Sequence, residues 1–363
     1  MIVNLFAGHG VDVGARMAGL PDGVGFELDG DTCATRAIHG MPTIRADVST
    51  WPREPLRGRV SGLWVSPPCQ DWSLAGSRTE RAGHTGWLVD EPLRWAEALR
   101  PEWIVCEQVP PALKVWEQHA DRLEACGWST WTGILNSADY GVPQTRRRAF
   151  LLACRGRRPS PPGPTHIDPK RRPPQLSLLD PERADWVTMA DALGWPESTE
   201  VRRARGAGMV ARHGTRPPRM GDQPAPTLDT APTRRWKILH TNRGQREDGS
   251  RQVIDAAANP APTFTAKSGG QWKVERRPDW VYVRPSTTVL GDPRIARPGR
   301  PPWASGESQF AIDSVKLTLA EALTIQSYPP GFALAGTKTS QFRQVGNAVP
   351  PLLARRILES VVR

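Results

Sequence analysis

A chain of 363 residues, 38% of them hydrophobic, can bury a substantial core and is long enough for two domains. The formal charge of +11, with arginine supplying most of the basic residues, favours polyanionic partners, although Arg, Ala, Gly and Pro are also what a GC-rich coding sequence tends to encode. Five cysteines with no C-x-x-C pair argue against a disulfide framework and a structural zinc site, and no run approaches the ~20 apolar residues of a membrane span, so a protein of the reducing cytoplasm, without metal or membrane role, is expected.

Strand-like runs at Ile2 to Phe6, Val24 to Leu28, Gly62 to Val65, Trp103 to Cys106 and Ala149 to Cys154 alternate with helical patterns such as Leu93 to Leu99 and Leu113 to Ala125. That alternation predicts an α/β domain, doubly wound and Rossmann-like, over residues 1–175. An Arg/Pro-rich stretch from Arg155 to about Gln175 reads as a semi-rigid spacer. Residues 176–339 then form a second, smaller, mostly β domain. Within it Pro224-Ala225-Pro226-Thr227-Leu228 recurs as Pro260-Ala261-Pro262-Thr263-Phe264, each followed by Trp-Lys, and Arg284 to Val289 is a degenerate third copy. Trp236 and Trp272 are at least as readily core residues as contacts for a partner. Thr318 with Glu321 forms a capping box for a helix within Lys316 to Gln326. A last helix, Pro350 to Val362, belongs with a 340–363 segment that completes the first domain.

Chemistry is expected where the strands end. Ser66-Pro67-Pro68-Cys69-Gln70 follows the apolar run Gly62 to Val65, and two prolines fix the backbone before the thiol. Cys69 therefore reads as an accessible nucleophile on a stiff turn, while Cys33, Cys106, Cys126 and Cys154 lie in apolar or helical surroundings and read as small hydrophobes. Asn4-Leu5-Phe6-Ala7-Gly8-His9-Gly10 is a glycine-rich turn between strand and helix, suited to close approach of a nucleotide-like molecule. The second strand ends in Glu27-Leu28-Asp29, where an acid takes ribose hydroxyls, and Asp47 could accept from an adenine amino group, though each acid alone is as readily a solvated loop residue. Glu107 ends another strand on the edge that carries Cys69. Period two sets Gln144, Arg146 and Arg148 on one face of the strand that follows, where two arginines suit a phosphate or a carbonyl oxygen.

In this order and spacing, Phe6 to Gly10, Glu27 to Asp29, Asp47, Pro67 to Gln70, Glu107 to Val109, Gln144 to Arg148, Leu317 to Pro329 and Gln344 to Pro350 make a chain that resembles the cytosine-C5 DNA methyltransferases over nearly its whole length. The resemblance implies S-adenosylmethionine as cofactor, S-adenosylhomocysteine as product and double-stranded DNA as partner of a monomeric enzyme. It places the cofactor over Phe6, Gly8, Gly10, Glu27, Leu28, Asp47, Val48, Pro68 and Asn347. It makes Cys69 the nucleophile at C6 of a flipped cytosine and puts Glu107 on the N3/N4 edge. Arg146 and Arg148 take O2 and phosphate, and Ser73 and Gln144 contact the DNA. Three departures from the family pattern stand out: Gln108 for an asparagine, Lys316 for an arginine and Val11 for a second glycine. The rivals are an RNA-acting relative, which typically lacks so large a middle domain, and a silent DNA-binding relative, against which Cys69, Glu107, Arg146 and Arg148 speak.

Overall fold

In the computed structural model, residues 1–72, 79–171, 183–194, 280–289, 291, 294–295 and 315–362 are described, together with the backbone of four short strands between 201 and 274. One sheet is built from β1 (Ile2–Leu5), β2 (Val24–Glu27), β3 (Thr43–Arg45), β4 (Gly62–Val65), β5 (Trp103–Gln108), β6 (Ser129–Asn136) and β7 (Arg147–Cys154), in the order β3-β2-β1-β4-β5-β7-β6. The first five strands are parallel, and β7 runs antiparallel between β5 and β6. Every residue of β4 and β5 is buried, as a sheet covered on both faces demands. β3 and β6 were not expected. β3 has three residues, and β6 is half-buried along most of its length with Gly133 leaving room for the Trp131 ring, so neither carries a clear apolar signal.

Helices α1 (Gly10–Met17), α2 (Gly30–Ile38), α3 (Glu91–Leu99) and α4 (Leu113–Ala125) connect the strands. Besides two short helical turns at Met189–Leu193 and Trp280–Val283, three longer helices follow late in the chain: α5 (Leu319–Ile325), α6 (Lys338–Asn347) and α7 (Pro351–Val361). The Thr318/Glu321 capping box at α5 is present as expected. The 340–363 segment is two helices, broken where Ala348 turns extended before Pro350. α7 packs so closely on α1 that a Cβ at Gly14 would collide with Ala354 and the Pro351 carbonyl. This places the chain's end beside its beginning, with Leu353, Ala354, Ile357 and Leu358 wholly buried.

Two compact units emerge, Met1–Leu193 with Trp280–Arg363, and Gly194–Asp279. The boundaries expected at 175/176 and 339/340 therefore move. Residues 280–339 belong to the first unit because α5 buries Ala322, Leu323 and Ile325 there and Tyr328 reaches His9. The degenerate third repeat also lies in that unit, with the Ser286 carbonyl accepting from Thr145 N–H at 2.8 Å. In the second unit, Val253–Ile254, Ile238–Leu239, Val201–Arg203 and Trp272–Val274 form a four-stranded sheet in that order. The two Pro-Ala-Pro-Thr repeats lie outside the described residues.

Candidate active site

Strand order reverses between β1 and β4, and a cleft of about 320 Å³ opens at the carboxyl ends of these strands and of β5. Antiparallel β7 enters the sheet where the parallel strands leave it, so its first residues reach the same edge as Glu107. Phe6, Gly8, Gly10, Glu27, Pro68, Cys69, Glu107, Arg146, Arg148 and Asn347 all line this one cleft.

On one side the chain leaves β1 through two left-handed residues, Phe6 at φ 54° and Gly8 at φ 50°. Phe6 is a non-glycine residue in a costly conformation, and such strain is found at functional turns. Nothing stands within 4 Å of the place a Gly8 Cβ would occupy, whereas a Cβ at Gly10 would run into the Val349 carbonyl. The turn is pinned from beneath by a buried ion pair: the Arg36 guanidinium donates to Asp12 Oδ2 at 2.6 Å and to the Gly8 carbonyl at 2.8 Å, while Asn4 donates to the same Asp12 oxygen at 3.0 Å. The carboxylate of Glu27 accepts from Gly8 N–H at 3.1 Å, Leu28 N–H at 2.8 Å and Asp29 N–H at 2.9 Å, which holds it at the cleft wall with one lone pair on Oε2 to spare.

On the other side Cys69 is half-buried beyond β4. Gln108 fixes the turn before it. Its amide donates to the carbonyls of Pro67 at 3.0 Å and Pro68 at 3.1 Å, and its oxygen accepts from Val109 N–H at 2.8 Å. Past Cys69, the Asp71 carboxylate accepts from Thr85 N–H and hydroxyl at 2.8 Å and from the Thr79 hydroxyl at 3.0 Å, tying the far end of the loop to its start. Glu107, 6% exposed, pairs with Arg148 at 3.1 Å. Arg146 is 2% exposed; its guanidinium donates over a long 3.5 Å to the Val289 carbonyl, and its Nε has no partner among the described residues. Burial, with Arg148 alongside, draws its pKa down to about 9, which leaves it cationic at neutral pH. A buried guanidinium with donors to spare beside a carboxylate and a thiol suits an uncharged, carbonyl-bearing ring. By contrast, burial pushes the Cys106 thiol far above its ordinary range, so that cysteine is inert.

Several expected residues are placed elsewhere. Val48 is a core residue, 3% exposed, beneath the Trp95 indole that donates to its carbonyl. Asp47 is exposed, with its carboxylate accepting from Ser49 N–H and hydroxyl, and Leu28 is 61% exposed; neither lines the cleft. Gln144 is fully buried, donating to Gln326 at 3.2 Å and accepting from Val289 N–H at 3.2 Å, so it braces the strand entry and does not face a ligand. Alternation holds for Arg146 and Arg148 alone. Cys126 is exposed at the end of α4, against the expectation of a buried hydrophobe. Ser73 lies outside the described residues. Sequence reasoning passed over His9 and Arg343, which also line the cleft, the latter paired with Asp29 at 2.9 Å. The only signal was position: His9 lies inside the Phe6 to Gly10 segment and Arg343 directly before Gln344 to Pro350.

Among the described residues no group of three metal-ligating side chains occurs, and no helix is long and apolar enough to cross a membrane. A family model for C-5 cytosine-specific DNA methylases matches residues 1–208 and 227–363. The type II methyltransferase M1.HphI of Haemophilus parahaemolyticus is 25% identical over 99% of this chain and 86% of its own length. M.DdeI of Desulfomicrobium norvegicum is 26% identical over 99% and 88%. The Dnmt2 methyltransferase of S. pombe shares the fold, with a TM-score of 0.52 at 14% identity over 99% of this chain and 97% of that one. With the matched segments spanning both sides of the cleft, the chain belongs to the C-5 cytosine-specific DNA methylase family and is a DNA cytosine-C5 methyltransferase.

Proposed function

We propose that the cleft joins an S-adenosylmethionine site, at the glycine turn, to a site for a cytosine turned out of duplex DNA, with Cys69 as nucleophile. The observation that carries this reading is the meeting of Cys69 and the Glu107–Arg148 pair with the Phe6 to Gly10 turn in one cleft. The residues present fit the cofactor: a cradle closed to any side chain at Gly10, a carboxylate at Glu27 able to take a further hydrogen bond, and Asn347 in the lining. When bound, S-adenosylmethionine supplies an electrophilic methyl group. The adenine contact expected of Asp47 is assigned instead to the cleft wall around Phe6, whose ring offers a stacking face.

C5 of cytosine is a poor nucleophile, and the side chains present address that defect. Cys69 adds as thiolate to C6 while Glu107 engages N3 and N4 and Arg146 takes O2, so that electron density moves from the new C6–S bond's position toward C5. C5 then gains the methyl group. Loss of the C5 proton to a base and expulsion of the Cys69 thiolate from C6 restore the aromatic ring. Access requires the base to leave the stack, which suits a cleft whose reactive groups lie behind the sheet edge. Arg148 holds Glu107 in place and reaches the backbone phosphate. The named relatives are type II methyltransferases, and a cytoplasmic role in protecting host DNA alongside a restriction enzyme follows for this chain on that analogy.

Duplex DNA carrying 5-fluorocytosine tests the covalent step, because fluorine cannot leave as the proton does. The wild type forms a stable adduct in the presence of cofactor and Cys69→Ser forms none. Methylation by Cys69→Ala within about tenfold of the wild-type rate, roughly 1.4 kcal/mol of barrier, would show that the nucleophile is another group.

A further inference from the structure

Ser66, the first residue beyond β4, has no part in the chemistry above. Its N–H donates to the Leu5 carbonyl at 3.3 Å, which sets it where β4 meets β1, the boundary at which strand order reverses. The Trp64 indole donates to its hydroxyl oxygen at 2.9 Å. That bond takes one lone pair and fixes the oxygen, while the hydroxyl's own proton has no acceptor among the described residues. Trp64 is wholly buried in a cluster with Val11, Val349 and Leu353, so the hydroxyl it holds lies on the face of the sheet that α1 and α7 cover. The cleft reaches that face: Ser66 lines it together with Gly10, Val11, Asn347 and Val349, and Ser66 is half-buried rather than sealed. Strand order also says which part of a ligand passes this point. Glu27 ends β2 on one side of β1, whereas Cys69 and Glu107 stand beyond β4 and β5 on the other. A ribose at Glu27 and a cytosine at Cys69 require the sulfur, which carries both the methyl group and the amino-acid arm, to lie over the ends of β1 and β4, beside Ser66.

We propose that Ser66 is a cofactor-binding residue whose hydroxyl donates to the carboxylate on the amino-acid arm of S-adenosylmethionine, with Trp64 holding the oxygen in place. The proposal rests on the reading of this cleft as the cofactor site. A hydroxyl with an uncommitted proton calls for an acceptor. On that arm the carboxylate is the group that supplies one, since the ammonium has no lone pair and the cationic sulfonium accepts no hydrogen bond.

Calorimetric titration of the full chain with two thioethers separates the possibilities: S-adenosylhomocysteine, and the same molecule lacking only its carboxylate, 5′-deoxy-5′-(3-aminopropylthio)adenosine. Ser66→Ala removes one oxygen and leaves the backbone bond to Leu5 in place. It is expected to weaken S-adenosylhomocysteine by about tenfold, the low end for a hydrogen bond to a charged group, and to change the decarboxylated ligand by less than about twofold. Ser66→Thr, which keeps the hydroxyl, should bind S-adenosylhomocysteine within about threefold of the wild type. The unchanged decarboxylated ligand serves as the control for folding, because a damaged cleft would lose both ligands together. Weakening of the decarboxylated ligand by Ser66→Ala as much as of S-adenosylhomocysteine, or weakening of neither, overturns the proposal and leaves the hydroxyl a support for Trp64. If the wild type binds neither thioether, the cofactor reading itself fails.

Discussion

Glu107 sits where a strand of wholly buried residues meets the cleft, and its ion pair with Arg148 fixes which way its carboxylate turns. A carboxyl group that engages the N3/N4 edge of a base acts in the transition state more than in binding. Glu107→Gln is accordingly expected to bind cofactor and DNA as the wild type does while turnover falls by a factor on the order of 10²–10⁴. Rapid-quench methylation kinetics alongside equilibrium binding make the comparison; a loss confined to cofactor affinity would move Glu107 out of the base site. The position of Glu107 and Cys69 at the cleft was legible in the sequence because each follows a short apolar run, and strand ends are where such a sheet presents its reactive groups. The positions of Val48, Leu28 and Gln144 were not, since sequence places a residue near a strand end without saying whether its side chain turns toward cleft, core or solvent. His9 was hidden for a related reason: its partner, Tyr328, is 319 positions away.

At the scale of elements, the active turn depends on a strand beside it. Pro67 and Pro68 bring two carbonyls and no N–H to the end of β4, and Gln108, 1% exposed on β5, supplies donors to both. The longer side chain at this position, one of three departures from the family pattern, spans two successive carbonyls while its own oxygen caps Val109. Gln108→Ala leaves those carbonyls unpaired. It should lower stability by about 1–3 kcal/mol in denaturant titration and slow formation of the 5-fluorocytosine adduct at least tenfold, with S-adenosylhomocysteine affinity unchanged. A variant that melts earlier yet forms the adduct at the wild-type rate would reduce Gln108 to a structural brace. The same logic explains why α2 matters to the glycine turn: Arg36 crosses from the helix to Asp12, Gly8 and Pro42, and Gly25 on β2 lacks a side chain where the guanidinium lies. Period and placement made the α/β alternation readable. The long-range polar ties that give the turns their shape left no periodic trace.

For the whole molecule, the division of labour follows the way the chain returns on itself. Residues 280–363 rejoin the first unit, bringing Asn347 to the cleft and α7 against α1, so the described cleft-lining residues all belong to the first unit. The charge of +11 then needs a place to act: removing an arginine that contacts phosphate would weaken binding to all sequences alike and lower the salt slope by about one. Removing one that contacts a base would instead relax discrimination by roughly 1–3 kcal/mol. All described cleft-lining residues lie in the first unit, and we propose that the second unit chooses the target. Exchanging residues 194–279 for the corresponding region of a relative such as M.DdeI should leave S-adenosylhomocysteine affinity and Cys69 adduct formation intact while changing which cytosines are methylated. Bisulfite sequencing of host DNA after expression reads the outcome directly. A chimera that folds, binds cofactor and still marks the original sites would place recognition in the first unit, where the exposed Arg147 and the loop beyond Cys69 would be the next segments to exchange.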